Sequence, residues 1–426
     1  MQTIMNRARR KSTLLELPVV QGELDNEAEE PPSRSLSDRP RSQPARRVPL
    51  NPVAARLLPT QEAIPILLPP EPALPVTVAT PQRARRRPIR FTDMSQVQVV
   101  VLHSMALSLD RGRAEELIAD QETADVARRV AEALEGEVGA VHLVPVWDDL
   151  PAALAPFDPR THLVFNLVES LGGRAFTEPE AIRQIRRLGF RFTGVPYRAM
   201  RWSSSKLRTK QLLQHAGIPT PPYQLFANLR DRNVLVPLPA IVKPVAEGGS
   251  MGISHASVVT DSETLLAQVE DCLATYRQPA LVESFIEGRE LNVALWGNGR
   301  PEILPISEIL FTWTDDPLKQ IVSFDAKWIA DSVEYHNTPG QCPARLSAKD
   351  QTAVEVVAQR VHKRLGLKGF VRIDMRLRRG IPYVLEVNSN PDLAPDAGFF
   401  RSASTAGHSY RSMVLYILKL ALASRP

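Results

Sequence analysis

Apolar runs and amphipathic stretches alternate along the chain from about residue 97 onward. The run Val97-Gln-Val-Val-Val-Leu is almost continuous in β-branched and aliphatic residues and predicts a buried strand. Residues 114–135 then set Leu117, Ile118, Ala124, Val126, Ala127, Val130 and Leu134 at helical spacing. Apolar runs at 141–144 and 163–168 predict two more strands, followed by a helix over 178–188 and a short strand over 190–193. Strands that alternate with helices predict an α/β domain with a mainly parallel sheet. A helix over 205–215 stops at Gly217 with Pro219 beyond it, a normal helix end. Strands over 240–244, 281–286 and 291–296 follow, with a helix over 262–275, and the chain shows no internal repeat.

The most informative pattern is a late hairpin, Phe370-Val-Arg-Ile-Asp-Met-Arg-Leu, a turn at 378–380, then Pro382-Tyr-Val-Leu-Glu-Val-Asn-Ser-Asn-Pro. Side chains alternate faces along a strand, so Arg372 shares a face with Asp374, and Glu386 with Asn388. If Leu377 pairs with Ile381, Asp374 lies near Val384 and Glu386 near Arg372, and the four polar groups converge. Val371, Ile373, Met375, Leu385 and Val387 then belong on the buried face. Two carboxylates and an amide carbonyl suit a hard cation that keeps waters and shares substrate phosphates. The plainer alternative is a hairpin with a wet polar face.

Composition narrows the class. Apolar residues make up 43% of the chain and charged residues 23%, ordinary for a globular protein. Its 426 residues allow two or three domains. Residues 1–90 hold 15 basic and 9 acidic residues, a net +6, whereas the remaining 37 basic and 38 acidic residues balance to −1. The formal charge therefore gives no support to nucleic-acid binding by the folded part. The same segment has 15 prolines and one glycine, with arginine clusters at 7–10 and 83–87, which predicts a disordered extension. Cys272 and Cys342 fit neither a metal finger nor a disulfide framework, consistent with a reducing, cytoplasmic setting. No apolar run reaches the length of a membrane span, and residues 1–30 show no signal-peptide core.

Three further features carry candidate chemistry. Glu247-Gly-Gly-Ser-Met-Gly follows the strand that ends at Lys243-Pro244, and closely spaced glycines let backbone N–H groups approach phosphates. The loop matches neither a P-loop nor a dinucleotide fingerprint, and on its own it also reads as a flexible turn. Lys206 and Lys243 flank the segment leading to it, either as phosphate contacts or as surface lysines. Glu283 and Glu290 can read an adenine edge or a ribose hydroxyl, or simply be exposed.

In order, Lys206, Lys243 with the 247–252 loop, Glu283 to Glu290, Lys327, Arg372-x-Asp374 and Glu386-x-Asn388-x-Asn390-Pro391 resemble the ATP-grasp superfamily. Within it the chain is most similar to the D-alanine–D-alanine ligase family. Phe165-Asn-Leu-Val-Glu-Ser-Leu-Gly-Gly, Gly217-Ile-Pro-Thr-Pro, Phe285-Ile-Glu-Gly-Arg-Glu and Cys342-Pro-Ala-Arg match as well. The resemblance covers about 97–420 and is strongest over 204–391.

It implies a parallel-sheet (pre-ATP-grasp) domain over 96–202, then a two-lobed α+β ATP-grasp domain with lobes at 203–288 and 289–426, after a disordered 1–95. It also implies ATP and two magnesium ions, with manganese as a substitute. Lys206, Lys243 and the loop residues Glu247, Gly248, Gly249, Ser250 and Gly252 would hold the phosphates. Glu283 and the strand after it, through Ile286, would read adenine, and Glu290 the ribose. Asp374, Glu386 and Asn388 would hold the metal, Lys327 would reach the γ-phosphate, and Arg372 would stabilise developing charge.

The departures fall on the acceptor side. The family's acidic residue after the first strand has no clear counterpart in 102–110, a glycine becomes Asp392, and a Ser-Leu pair becomes Ala397-Gly398. The tyrosine usual after the active-site lysine is Trp328. The expectation is an ATP-dependent carboxylate–amine ligase acting through an acyl phosphate on small substrates other than two D-alanines. A nucleotide-binding regulatory protein of the same fold is the alternative. The pattern names neither substrate and leaves a homodimer open.

Overall fold

The computed structural model describes residues 93–105, 107–230 and 232–424. The expected extension 1–95 lies, up to residue 92, outside the described residues. A single 3-10 turn at Met94–Gln96 leads into the first sheet. In chain order come β1 (Gln98–Ser104), α1 (Leu117–Leu134), β2 (Ala140–Val146), α2 (Leu150–Leu154), β3 (His162–Leu167), α3 (Glu178–Arg187) and β4 (Arg191–Phe192). The strands form a parallel sheet in the order β2-β1-β3-β4, as the alternating pattern predicts. Val99–Leu102 are fully buried, which a strand covered on both faces requires. Ile118 departs from its expected place: it is 43% exposed and lines the cleft described below.

Next come α4 (Tyr197–Ser203), α5 (Lys206–His215), β5 (Tyr223–Phe226), β6 (Ala240–Pro244), β7 (Val258–Val259), α6 (Ser262–Tyr276) and β8 (Ala280–Ser284). Here the strands make an antiparallel sheet in the order β5-β8-β6-β7, backed by α6. The side chain of Ser205 caps α5 by accepting from the Arg208 N–H. That fixes Lys206 in the first turn, at the mouth of the site.

The last part holds β9 (Arg289–Gly297), β10 (Glu302–Ile303), β11 (Ser307–Ile309), α7 (Phe324–Trp328), α8 (Val333–His336), β12 (Gly340–Gln341), α9 (Ala348–Leu365), β13 (Gly369–Arg378), β14 (Ile381–Asn388), α10 (Gly398–Thr405) and α11 (Tyr410–Ala423). Its sheet runs β12-β11-β9-β13-β14, with β10 beside β9, and is antiparallel throughout. One face buries Leu291, Val293, Val371, Ile373 and Met375 against α9 and α4. The other face is split. Trp296 and Phe370 share a core with Val101 and Phe165 of the parallel sheet and with Phe399 and Ile417 of α10 and α11. Asn292, Glu290, Arg372, Asp374 and Arg376, on the same face, open into the cleft. Each fully buried large apolar side chain is worth about 1.5–3 kcal/mol, so this shared core holds the parallel sheet and this antiparallel sheet together. Among the described residues no helix is long and apolar enough to cross a membrane.

The hairpin register differs from the expectation. Leu377 pairs with Pro382, and a bulge between Asp374 and Met375 makes Leu385 an extra residue. Asp374 therefore stands opposite Glu386, and Arg372 opposite Asn388, each two residues further along than expected, one from the turn and one from the bulge. The bulge also takes Leu385 off the buried face; it is half-buried and lines the cleft.

Candidate active site

A cleft of about 1050 Å³ lies between the sheets, and every candidate site residue except Gly252 lines it. Asp374 is one of its lining residues. Oδ1 accepts from Arg372 Nε at 2.8 Å and Asn292 Nδ2 at 2.8 Å; Oδ2 accepts from Arg372 Nη2 at 2.9 Å and Asn388 Nδ2 at 2.8 Å. Glu386 is less encumbered: one oxygen lies 3.1 Å from Lys206 Nζ, and its side chain is 32% exposed. Burial pushes the Glu386 carboxyl up, but Lys206, Lys243 and Arg372 outweigh it and hold the group below its usual range. A charged Glu386 and the side-chain carbonyl oxygen of Asn388 are hard oxygen donors of the kind a magnesium ion takes. Among the described residues no three His, Cys, Asp or Glu side chains gather as a metal set, so an ion here would rely on the Asn388 amide and on oxygens from substrate or water.

The lysines link this centre to the glycine loop. Lys206 Nζ donates to the Glu247 carbonyl while facing Glu386. Lys243 Nζ lies 3.3 Å from Glu283, and Glu283 also faces Lys210 at 3.2 Å. Glu283 and Lys210 are fully buried. Burial works against the Glu283 charge, but the two lysines hold its carboxyl below the usual range. Burial pulls the Lys210 ammonium down to about 8 despite Glu283. Lys210 was not among the expected residues, yet Lys206 and Lys210 are spaced i,i+4 on one helix, a pairing visible in the sequence.

The loop itself is pinned from three sides. The Glu247 carboxylate takes a two-armed ion pair from Arg111, at 2.5 and 2.9 Å. The Gly252 N–H donates to Glu116 at 2.7 Å, and Trp328 Nε1 donates to the Gly249 carbonyl at 2.6 Å. Gly252 has φ +76°, and a Cβ there would fall 2.7 Å from Pro244, so a side chain at this position would break the turn. Arg111 and Glu116 come from the segment after β1, and nothing in their local sequence marks them as loop anchors.

Glu290 pairs with Arg376 at 2.7 Å, and Arg376 also donates to the Ile286 carbonyl at 3.1 Å. Arg376 continues the Arg372-x-Asp374 alternation and could have been read from it. Lys327 lies 4.3 Å from the Trp328 ring and lines the cleft without a carboxylate partner among the described residues.

An acidic wall was not foreseen. Glu122 of α1 lines the cleft near Asp392, Asp396 and Lys327. Burial pushes its carboxyl up to about 7, reinforced by Asp392 and opposed by Lys327. The folded protein thus keeps a proton that the unfolded chain releases near 4.5, and this contribution fades as pH rises through 7. Glu122→Gln is expected to gain about 1–3 kcal/mol on the native chain between pH 5 and pH 8 in nucleotide-free urea unfolding, allowing for partial solvation. A difference between the two proteins that does not change with pH would contradict the assignment.

The family model described as "D-ala D-ala ligase C-terminus" matches residues 212–419. The D-alanine–D-alanine ligase of Desulforudis audaxviator is 33% identical over 243 residues, covering 55% of this chain and 74% of that protein. The chain belongs to the D-alanine–D-alanine ligase family. Another relative, the uncharacterized protein y4sG of Sinorhizobium fredii, is 32% identical over 268 residues, 62% of this chain and 76% of that one. The crystal structure of the Bacillus anthracis D-alanine–D-alanine ligase complexed with ATP superposes with a TM-score of 0.59 at 19% identity, over 76% of this chain and 97% of that chain. The family's ATP-grasp fold is therefore present here.

Proposed function

We propose that the protein is an ATP-dependent carboxylate–amine ligase working through an acyl phosphate. Lys206 carries this reading, because one ammonium joins the glycine loop, through the Glu247 carbonyl, to Glu386 of the polar hairpin. That arrangement suits a triphosphate lying between loop and hairpin. The three sheets support a division into 96–202, 203–288 and 289–426.

In this reading Lys206 and Lys243 bind phosphate oxygens, and Gly248, Gly249 and Ser250, which line the cleft, offer them backbone N–H groups. Glu283 fixes Lys243, the segment through Ile286 faces adenine, and Glu290, steadied by Arg376, takes the ribose. Asp374, Glu386 and Asn388 would hold magnesium, whose charge offsets that of the phosphates when it is bound. A substrate carboxylate attacks the γ-phosphate of ATP and ADP leaves. A bound amine then attacks the acyl carbon, and inorganic phosphate departs. Arg372, held by Asp374, is placed for the charge that develops on the reacting oxygens, and Lys327 for the transferred phosphoryl group. Closure of the cleft keeps water from the acyl phosphate.

The test is ADP release from Mg-ATP across a panel of amino acids and short peptides, added singly and in pairs. One or more pairs should release ADP. D-alanine alone should be a poor substrate, because Asp392 and Asp396 add negative charge and Ala397 offers no hydroxyl to a substrate carboxylate. A lost hydrogen bond to a charged group costs about 1.5–3 kcal/mol. Formation of D-alanyl-D-alanine at roughly 1 per second or more would refute the substrate argument. ATP binding without turnover on any pair would favour the regulatory alternative.

A further inference from the structure

We propose that Phe176 is a specificity-determining residue. The substrate whose carboxylate is phosphorylated carries a large apolar group, leucine-sized or bigger, that packs against this ring. The inference rests on the ligase reading and specifies its first substrate.

The backbone of Phe176 sets it apart. Among the described residues four non-glycine positions have positive φ: Phe176, Ser250, Arg277 and Arg379. Ser250 belongs to the glycine loop, Arg277 ends α6, and Arg379 turns the β13–β14 hairpin. Phe176 is the one aromatic of the four, at φ +62°, where a bulky side chain is strained.

A single hydroxyl closes the turn that holds it. Thr177 Oγ1 accepts from the Leu171 N–H at 2.8 Å and donates to the Arg174 carbonyl at 2.8 Å. Leu171 is buried in the core between the parallel sheet, α2 and α3, so this closed turn is anchored. Phe176 takes no part in that core; it is 40% exposed and lines the cleft. An exposed aromatic held in a strained conformation is unfavourable on both counts, and such strain collects at ligand sites.

A second apolar surface faces the same cleft: Ile118 and Ala119, in the first turn of α1. Both surfaces belong to the glycine-loop end. A Cβ built on Gly249 would lie 3.9 Å from Ala119 and 3.6 Å from Trp328. Glu178, two residues after Phe176, feels the charges of Glu247, Arg111 and Lys206. One turn further along α1, Glu122 feels Asp392 and Asp396, on the amine side, together with Lys327. A carboxylate that meets the γ-phosphate between the loop and Lys327 therefore has the apolar surfaces beside it. Adenine does not account for them, because in the ligase reading it faces the segment through Ile286, in the other lobe.

The experiment uses the full chain with saturating Mg-ADP and measures binding by calorimetry. The probes are alanine, leucine and phenylalanine of both hands, and 4-methylpentanoate, which keeps the apolar group of leucine without its ammonium. At least one of the larger probes should bind about ten or more times tighter than either alanine, since each buried methylene gives about fourfold. Phe176→Gly should lose most of that preference while its thermal midpoint stays equal or rises, because glycine relieves the strained φ. Phe176→Leu should keep part of the preference. With Mg-ATP, and hydroxylamine in place of the amine, the preferred probe should form its hydroxamate faster than alanine does. A wild-type protein that binds Mg-ADP but shows no preference for the larger probes overturns the proposal. So does a Phe176→Gly protein that melts markedly lower with the preference intact, the mark of a ring that only holds the turn. Hydroxamate formed equally well from alanine, or from none of the probes, overturns the assignment to the first substrate. A wild-type protein that fails to bind Mg-ADP overturns the ligase reading beneath it.

Discussion

Glu386→Gln is expected to lower Mg-ATP turnover by about 10²- to 10³-fold, the usual scale for one lost charge-stabilising group, while leaving the thermal midpoint nearly unchanged. The two effects separate because Glu386 has few structural duties. Its side chain is partly exposed and its one ion pair among the described residues is to Lys206, itself proposed to be a phosphate contact. The neutral amide keeps the shape and removes the charge that a metal and Lys206 both require. Asp374→Asn should behave differently. Asp374 accepts four hydrogen bonds, two of them from Arg372, so the variant leaves a guanidinium short of its partner and loses stability as well as activity. Kinetics and thermal melts on both variants check this. Near-normal turnover in Glu386→Gln would remove the hairpin from the metal site.

Glu283→Gln should produce the largest stability loss, about 3–5 kcal/mol by urea unfolding at pH 7, because it strands the buried Lys210 ammonium. The same change frees Lys243, so ATP affinity should fall with it. The double variant Lys210→Met with Glu283→Gln should recover most of the stability, since neither charge is then buried without a partner. It should not recover the ATP affinity, which depends on how Lys243 is held. An additive double variant would mean the pair is not coupled. Recovery of both properties would mean that Glu283 matters only as a counter-charge to Lys210.

The fold was largely legible in the sequence because its strands are written plainly. The β-branched run at 97–102 and the alternating 370–377 segment announce a covered parallel strand and a two-faced antiparallel one. The hairpin register was misread for a local reason. A bulge inserts Leu385 without any glycine or proline to mark it, and simple alternation cannot show it. Arg376 and Lys210 were within reach of the sequence, since they repeat the spacing of Arg372 and Lys206. Arg111, Glu116, Glu122 and Asn292 were not. Each meets its partner only when elements far apart in the chain pack together, as Glu116 does with Gly252 and Asn292 with Asp374.

The most direct test of the acyl-phosphate ligase reading is the fate of carboxylate oxygen. The full chain is incubated with Mg-ATP and a pool of amino acids carrying ¹⁸O in their carboxyl groups, and the released inorganic phosphate is weighed by mass spectrometry. Attack of a carboxylate on the γ-phosphate, followed by amine displacement, leaves one ¹⁸O atom in each phosphate formed. Phosphate free of label while ADP accumulates would mean that water, not a carboxylate, is the nucleophile, and would contradict the ligase mechanism.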